Sequence, residues 1–344
     1  MFKNRGVNRE VTMNSKELVR RAINFEMPER LPFTGSMGET DFTGDTVAIF
    51  PEFKLKWWLG GGGTDEWGSL WEIEPGSKDM GQVKNIVLEN LEDYMSVAVP
   101  NAFDPKRYSG WDKILKKAEL EGKYVVCCNG PVLFERAHFL HGFENTLMDI
   151  MAEPDLMRAF LKRLGKYHLD TVAYINANFA GRIHGYRGTD DWGTQQSTLI
   201  SPESFKDVFQ PEYMEIFKSV HDAGMDAWMH SCGQIYDIIP LLIEAGLDVI
   251  NLMQPNVFPI EKLAGLKGRI CFEICADAQN TLLSGDRKLL EAEIRRIISA
   301  CCSERGGLIE VKLDTMYYEG DGVSRDVGEF CHAKYREIDP FKRW

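Results

Sequence analysis

The segment Met229-His230-Ser231-Cys232-Gly233 sets an imidazole and a thiol two residues apart. The apolar run Ala227 to Met229 before it reads as a strand, so His230 and Cys232 leave a strand end together. A ring nitrogen and a thiolate so placed can share one metal ion. Zinc takes both ligand types and keeps a position open for catalysis when only three come from the protein. The same spacing also suits a histidine bonded to a neighbour and a cysteine packed in a wall, because two-residue metal motifs are weak.

Asp190-Asp191-Trp192-Gly193 is a second candidate. Acids at a strand terminus orient a substrate, act as a base or brace the following turn, and Asp next to Gly often does the last. Two in a row suggest that at least one faces a pocket, and both are candidate catalytic residues. Glu135 and Arg136, near His138, either line the mouth or form a surface pair of little energetic weight. Trp67, Trp71, Trp192, Tyr317 and Tyr318 offer an aromatic wall for a flat ligand, although aromatics also fill cores.

These groups need a frame. From Tyr124 onward, short apolar runs alternate with helical stretches: Tyr124–Cys128, Arg182–Tyr186, Ala227–Met229, Asp248–Met253, Ile270–Ile274 and Leu308–Leu313 read as strands. Helices are expected from Pro154 to about Asn178, from Ser201 through Val220 to Gly224, over Ile235–Ala245 and over Arg287–Cys302. Ahead of them, Ser15–Asn24 reads as a helix with Ser15 as its cap, and Arg30–Thr34 as a short strand. Repeated strand-then-helix units build a doubly wound sheet or a closed barrel. No GxGxxG or phosphate loop follows a strand, so the expectation is a (β/α)8 TIM barrel. Its chemistry belongs at the C-terminal strand ends. Those ends carry Asp190 and Asp191, His230 and Cys232, Asn251 and Gln254, Asp277 and Gln279, and Asp314. Residues 1–12 are polar and read as a loose N-terminal extension; 13–344 is expected to form one catalytic barrel.

The balance of 40 basic against 52 acidic side chains, net charge -12, lacks the cationic surface that nucleic acid requires. No run approaches the roughly 18 apolar residues of a membrane span. The eight cysteines include two adjacent pairs and no framework spacing, which suits free thiols in a cytoplasmic protein.

Three blocks in order, Tyr186–Pro202 (YRGTDDWGTQQSTLISP), Trp228–Gly233 (WMHSCG) and Leu242–Pro255 (LIEAGLDVINLMQP), resemble the uroporphyrinogen decarboxylase superfamily. So do Asp277-Ala278-Gln279, Gly306–Ile309 and the opening Leu18–Pro32 segment. The resemblance implies a (β/α)8 barrel with a polar cleft at its C-terminal mouth. True decarboxylases of the family carry an arginine-rich block, similar to RQAGRY, near the first strand. Here Phe33–Thr40 holds no arginine, and a substrate with many carboxylates would want that grip.

The chain therefore looks more like the branch that moves methyl groups to or from a cobalt corrinoid held by a separate carrier protein. The resemblance then implies zinc on His230 and Cys232 plus a third ligand at the last strand end. That position is usually Cys; here it falls on Asp314, with Glu310 as a fallback. Tyr186, Arg187, Trp192, Gln195 and Gln254 become the expected substrate-binding residues, and a small molecule such as a methoxylated aromatic the methyl donor. No Asp-x-His-x-x-Gly corrinoid motif is present, so the corrinoid has to come on a partner. The alternative is a metal-free decarboxylase or lyase built on Asp190 or Asp191.

Overall fold

The computed structural model describes residues 13–35, 42–56, 61–74, 81–313 and 322–342. Eight strands lie in one parallel sheet: β1 (Phe33–Thr34), β2 (Thr46–Ile49), β6 (Tyr124–Pro131), β7 (Gly185–Thr189), β8 (Asp226–His230), β9 (Val249–Leu252), β10 (Cys271–Ile274) and β11 (Leu308–Val311). Their order is β1-β11-β10-β9-β8-β7-β6-β2. Asp45 closes the remaining gap between β1 and β2. Its backbone N–H donates to the Phe33 carbonyl at 2.8 Å, and its carboxylate accepts from the Phe33 N–H at 3.0 Å. Arg30 grips the same carboxylate with two bonds of 2.7 Å. The ring is thus a (β/α)8 barrel. A small antiparallel ribbon of β3 (Gly63–Thr64), β4 (Leu70–Glu72) and β5 (Gln82–Val83) is inserted after β2.

The helices are α1 (Ser15–Ile23), α2 (Trp111–Leu120), α3 (Phe134–His141), α4 (Phe143–Ala152), α5 (Pro154–Phe179), α6 (Pro202–Val208), α7 (Gln210–Asp222), α8 (Ile239–Ala245), α9 (Thr281–Ser284), α10 (Arg287–Cys301) and α11 (Arg325–Glu337). α1 carries Leu18, Val19, Ala22 and Ile23 on one face, an i, i+1, i+4, i+5 stripe. Val19, Ala22 and Ile23 pack with Ala48, Tyr124, Val126, Cys128, Trp228, Val249, Cys271 and Ile309, the inward-facing strand residues. The helix therefore plugs one end of the barrel, and each fully buried aliphatic side chain there contributes about 1.5–3 kcal/mol. The outward-facing strand residues join the larger core under the helices. No helix among the described residues is long and apolar enough to cross a membrane.

Several boundaries differ from the sequence-based expectation. Asn14, not Ser15, caps α1, accepting from the Glu17 N–H, while the Ser15 hydroxyl reaches Asp45. The helix expected from Ser201 to Gly224 is two, α6 and α7, because Pro211 lacks the N–H that would continue the ladder. The fourth barrel strand is Gly185–Thr189 rather than Arg182–Tyr186. Gly188 is a strand residue: a methyl group there would lie 2.1 Å from Val132 Cγ2, so only glycine lets the β6 bulge pack this close. Asp314, Tyr317 and Tyr318, and the extension at 1–12, lie outside the described residues.

Candidate metal centre at the barrel mouth

Strand alternation decides which side chains reach the mouth. On β7, Gly185, Arg187 and Thr189 face inward; on β8, Trp228 and His230; on β9, Val249 and Asn251. His230 ends β8, paired with Thr189 on one side and Asn251 on the other. Its Nε2 lies 3.3 Å from Cys232 Sγ and 3.5 Å from Asp191 Oδ1. Asp191, His230 and Cys232 can bring one ligand atom each to within 4.8 Å of one another. Asp191 and His230 come from strand ends whose residues are 39 apart in sequence, and only sheet pairing unites them.

The turn that presents Cys232 is pinned on every side. Asp191 Oδ1 accepts the Cys232 N–H at 2.8 Å, and Gln254 Oε1 accepts the Gly233 N–H at 3.1 Å. Ser231 N–H donates to the Asn251 carbonyl, and Gln234 N–H to the Thr194 carbonyl. Gly233 has φ +79°, and a methyl group on it would lie 2.2 Å from the Gly193 carbonyl oxygen. Both glycines are needed for that close approach of two backbones. Cys232 is half-buried, whereas the other seven cysteines are fully buried, so it alone presents a thiol near the surface.

The two adjacent aspartates do different things. Asp191 is 41 % exposed and faces the cleft. Asp190, expected as a catalytic acid, is fully buried. Its carboxylate accepts the Leu133 and Glu135 N–H groups, each at 2.8 Å, and the Tyr213 hydroxyl. It caps the first turn of α3, satisfying donors that the helix itself cannot. Burial pushes its carboxyl up to about 6, against the opposing pull of those hydrogen bonds. Glu135 is also buried and accepts from the Thr189 hydroxyl at 2.7 Å. Burial, then the charges of Asp191 and Asp190, raise its carboxyl well above the usual range.

The remaining expected substrate-binding residues scatter. Tyr186 points outward into the helix layer, bonded to Asn129 Nδ2 at 2.6 Å and His168 Nδ1 at 2.8 Å. Trp192 is fully buried, stacked on Phe134 at 4.4 Å and edge-on to Phe209 and Phe205, with its N–H donated to Tyr213. It packs in the core and presents no face to a ligand. Trp67 and Trp71 are likewise buried, around the inserted ribbon. Gln195 is exposed in the Thr194–Ser197 turn. Gln254 clamps the Cys232 turn. Arg187 lies inside the barrel, 2.6 Å from Glu273. That ion pair was not anticipated, although a lone glutamate inside the apolar run Cys271-Phe272-Glu273-Ile274-Cys275 signals a buried partner.

Glu310, the fallback ligand, faces the other way. It is 2 % exposed and bonded to His332 Nδ1 at 2.7 Å and Arg336 Nη2 at 3.1 Å, both on α11. Its neighbour Ile309 takes the inward position. Asp277 braces its own turn, accepting from the Gln279 and Asn280 N–H groups.

Among solved structures, the fold is similar to a B12-independent methionine synthase from Shewanella sp. W3-18-1, with 10% identity, TM-score 0.43, and 83% of this chain and 75% of that one covered. It is similar to D-psicose 3-epimerase from Clostridium cellulolyticum H10, with 9% identity, TM-score 0.42 and coverages of 68% and 85%. A 3-keto-D-glucoside 4-epimerase from E. coli gives 9% identity, TM-score 0.40 and coverages of 72% and 97%. At this distance the likeness reaches neither substrate nor chemistry. No curated protein matches the sequence. The family model described as Uroporphyrinogen decarboxylase (URO-D) matches residues 72–309, a stretch that holds the strand ends carrying Asp191, His230 and Cys232, and the chain belongs to the uroporphyrinogen decarboxylase family.

Proposed function

We propose that this member of the family is a methyltransferase that moves a methyl group between a small methylated substrate and the cobalt of a separate corrinoid protein, with zinc held at the barrel mouth. The observation that carries the reading is the convergence of Asp191, His230 and Cys232. Zinc–nitrogen and zinc–oxygen bonds of about 2.0 Å and zinc–sulfur bonds of about 2.3 Å place tetrahedral ligands roughly 3.3–3.6 Å apart. The Nε2–Sγ and Nε2–Oδ1 separations of 3.3 and 3.5 Å match that spacing. Imidazole, thiolate and carboxylate are all zinc ligands. Asp191 thus takes the third-ligand role that the family resemblance gave to Asp314. When bound, the metal supplies Lewis acidity at the heteroatom that carries or receives the methyl group.

The chain's own residues supply the rest. The clamps from Asp191 and Gln254 hold Cys232 toward the cleft. Thr189, paired with His230 across the sheet, donates its hydroxyl to the Glu135 carboxylate at 2.7 Å and holds that side chain beside the site. The carrier protein brings the corrinoid to this open end, and a methoxylated aromatic is the donor class we favour. The metal-free decarboxylase reading rests on the family match and on Asp190 or Asp191 as its acid. Asp190 is committed to capping α3, which leaves Asp191 as the one acid of the pair available to it.

Elemental analysis of the purified protein beside Cys232→Ala tests the proposal. About one zinc per chain, lost in the variant, is expected. Absence of zinc from a wild-type protein purified with zinc supplied would overturn it and favour the lyase.

A further inference from the structure

Asn251 has no role in the reading so far, yet it makes a short contact of 2.6 Å to a candidate ligand, His230. It is 3 % exposed and sits at the inward position of β9, directly paired with His230 across the parallel sheet. Its Oδ1 lies 2.6 Å from His230 Nδ1. Its Nδ2 donates to the Glu273 carbonyl at 3.1 Å on the next strand, β10. That second bond settles the orientation of the amide: the nitrogen must face the carbonyl, so the oxygen must face the imidazole. An acceptor at Nδ1 requires the ring proton to be there. Nε2 is then left with its lone pair directed at Cys232 and Asp191.

We infer that Asn251 is a positioning residue that locks His230 in the Nδ1–H tautomer and so prepares Nε2 to take a metal. The inference rests on the metal-centre reading above and adds to it the group that orients the imidazole. A bound histidine commonly donates its other N–H to an acceptor, and loss of that acceptor commonly weakens the metal by ten- to a hundredfold.

The choice of an amide has an electrostatic reason. A thiolate from Cys232 and a carboxylate from Asp191 already balance a divalent cation. An aspartate at 251 would add a third negative charge beside Glu273, whose carboxylate is buried and paired with Arg187. Asparagine provides the acceptor without that charge. Arg187 and Glu273 in turn hold β7 and β10 together across the barrel interior, keeping the Glu273 carbonyl where Asn251 needs it.

The test compares wild type, Asn251→Leu and Asn251→Asp as full-length protein. Zinc affinity is read by competition with a chromophoric chelator, and the tautomer of His230 in metal-free protein from imidazole 15N–1H couplings. Wild type should show Nδ1–H. Asn251→Leu, which keeps the branched shape and removes the acceptor, should lose about ten- to a hundredfold in affinity and show a tautomer mixture. Asn251→Asp keeps an acceptor at Nδ1 and should restore the Nδ1–H tautomer, while its added charge and the lost donor to the Glu273 carbonyl leave affinity below wild type. Unchanged affinity and tautomer in the leucine variant, or failure of aspartate to restore the tautomer, would overturn the inference. If wild type binds no zinc the metal-centre reading fails by itself, and the tautomer measurement still decides whether Asn251 orients the ring.

Discussion

Exchange of Asp190 and of Asp191, one residue apart, should have opposite consequences. Asp190 is fully buried and accepts three donors: Leu133 N–H, Glu135 N–H and the Tyr213 hydroxyl. An asparagine keeps one acceptor oxygen and must turn its NH2 toward at least one of those donors. One orphaned buried donor costs about 1–3 kcal/mol, and the surviving bonds lose their charge assistance. Asp190→Asn should therefore cost about 2–3 kcal/mol, and Asp190→Ala, which orphans all three, more. Asp191 is 41 % exposed, and an asparagine there can still accept the Cys232 N–H. Asp191→Asn should change stability by less than about 0.5 kcal/mol, while losing the anionic ligand and with it most zinc affinity. Urea unfolding with a chelator present gives the stability free of any metal contribution; zinc competition gives the affinity. A stability of Asp190→Asn within about 0.5 kcal/mol of wild type would refute the capping argument. Full zinc affinity in Asp191→Asn would refute its role as a ligand.

Two further outcomes follow from buried charge. Glu212 on α7 packs against Gly165 of α5, where a methyl group would meet its Oε1 at 2.0 Å, and that oxygen has no hydrogen-bond partner among the described residues. Burial, then Glu215, push its carboxyl up from 4.5 to about 7. Between those values the folded chain holds a proton that the unfolded chain has released, so stability falls as pH rises through this window. Glu212→Gln should abolish that slope and raise stability by about 1–2 kcal/mol at pH 8, read as a urea midpoint at pH 5 and pH 8; an unchanged slope would count against it. Arg187→Met should cost about 3–5 kcal/mol by stranding Glu273, and the double change with Glu273→Met should recover most of it. A double variant as unstable as the single would show that the cost is one of packing rather than unpaired charge.

How much of this was legible in the sequence depends on whether a feature is local. Short runs ending in polar residues located seven of the eight barrel strands, β1 among them, and put His230 and Cys232 at a strand end, because strand length and the polar mouth are written into neighbouring residues. β2, four residues between Gly44-Asp45 and Pro51, was not among the expected strands; a strand that short draws its stability from Asp45 and from β6 rather than from propensity. Family membership also rested on the order of sequence blocks, and it was legible.

Side-chain direction was not. Asp190 and Asp191 are equally acidic neighbours, but one caps α3 and the other meets His230, because adjacent residues leaving a strand point to different sides. Glu310 had the right chemistry and an outward position; Trp192 had the right shape and a core position. Which face is inward is set by sheet pairing and by ring closure through Asp45. Those bonds join residues tens to hundreds apart, so only the tertiary structure could decide that Asp191 and Asn251 belong to His230 and Cys232.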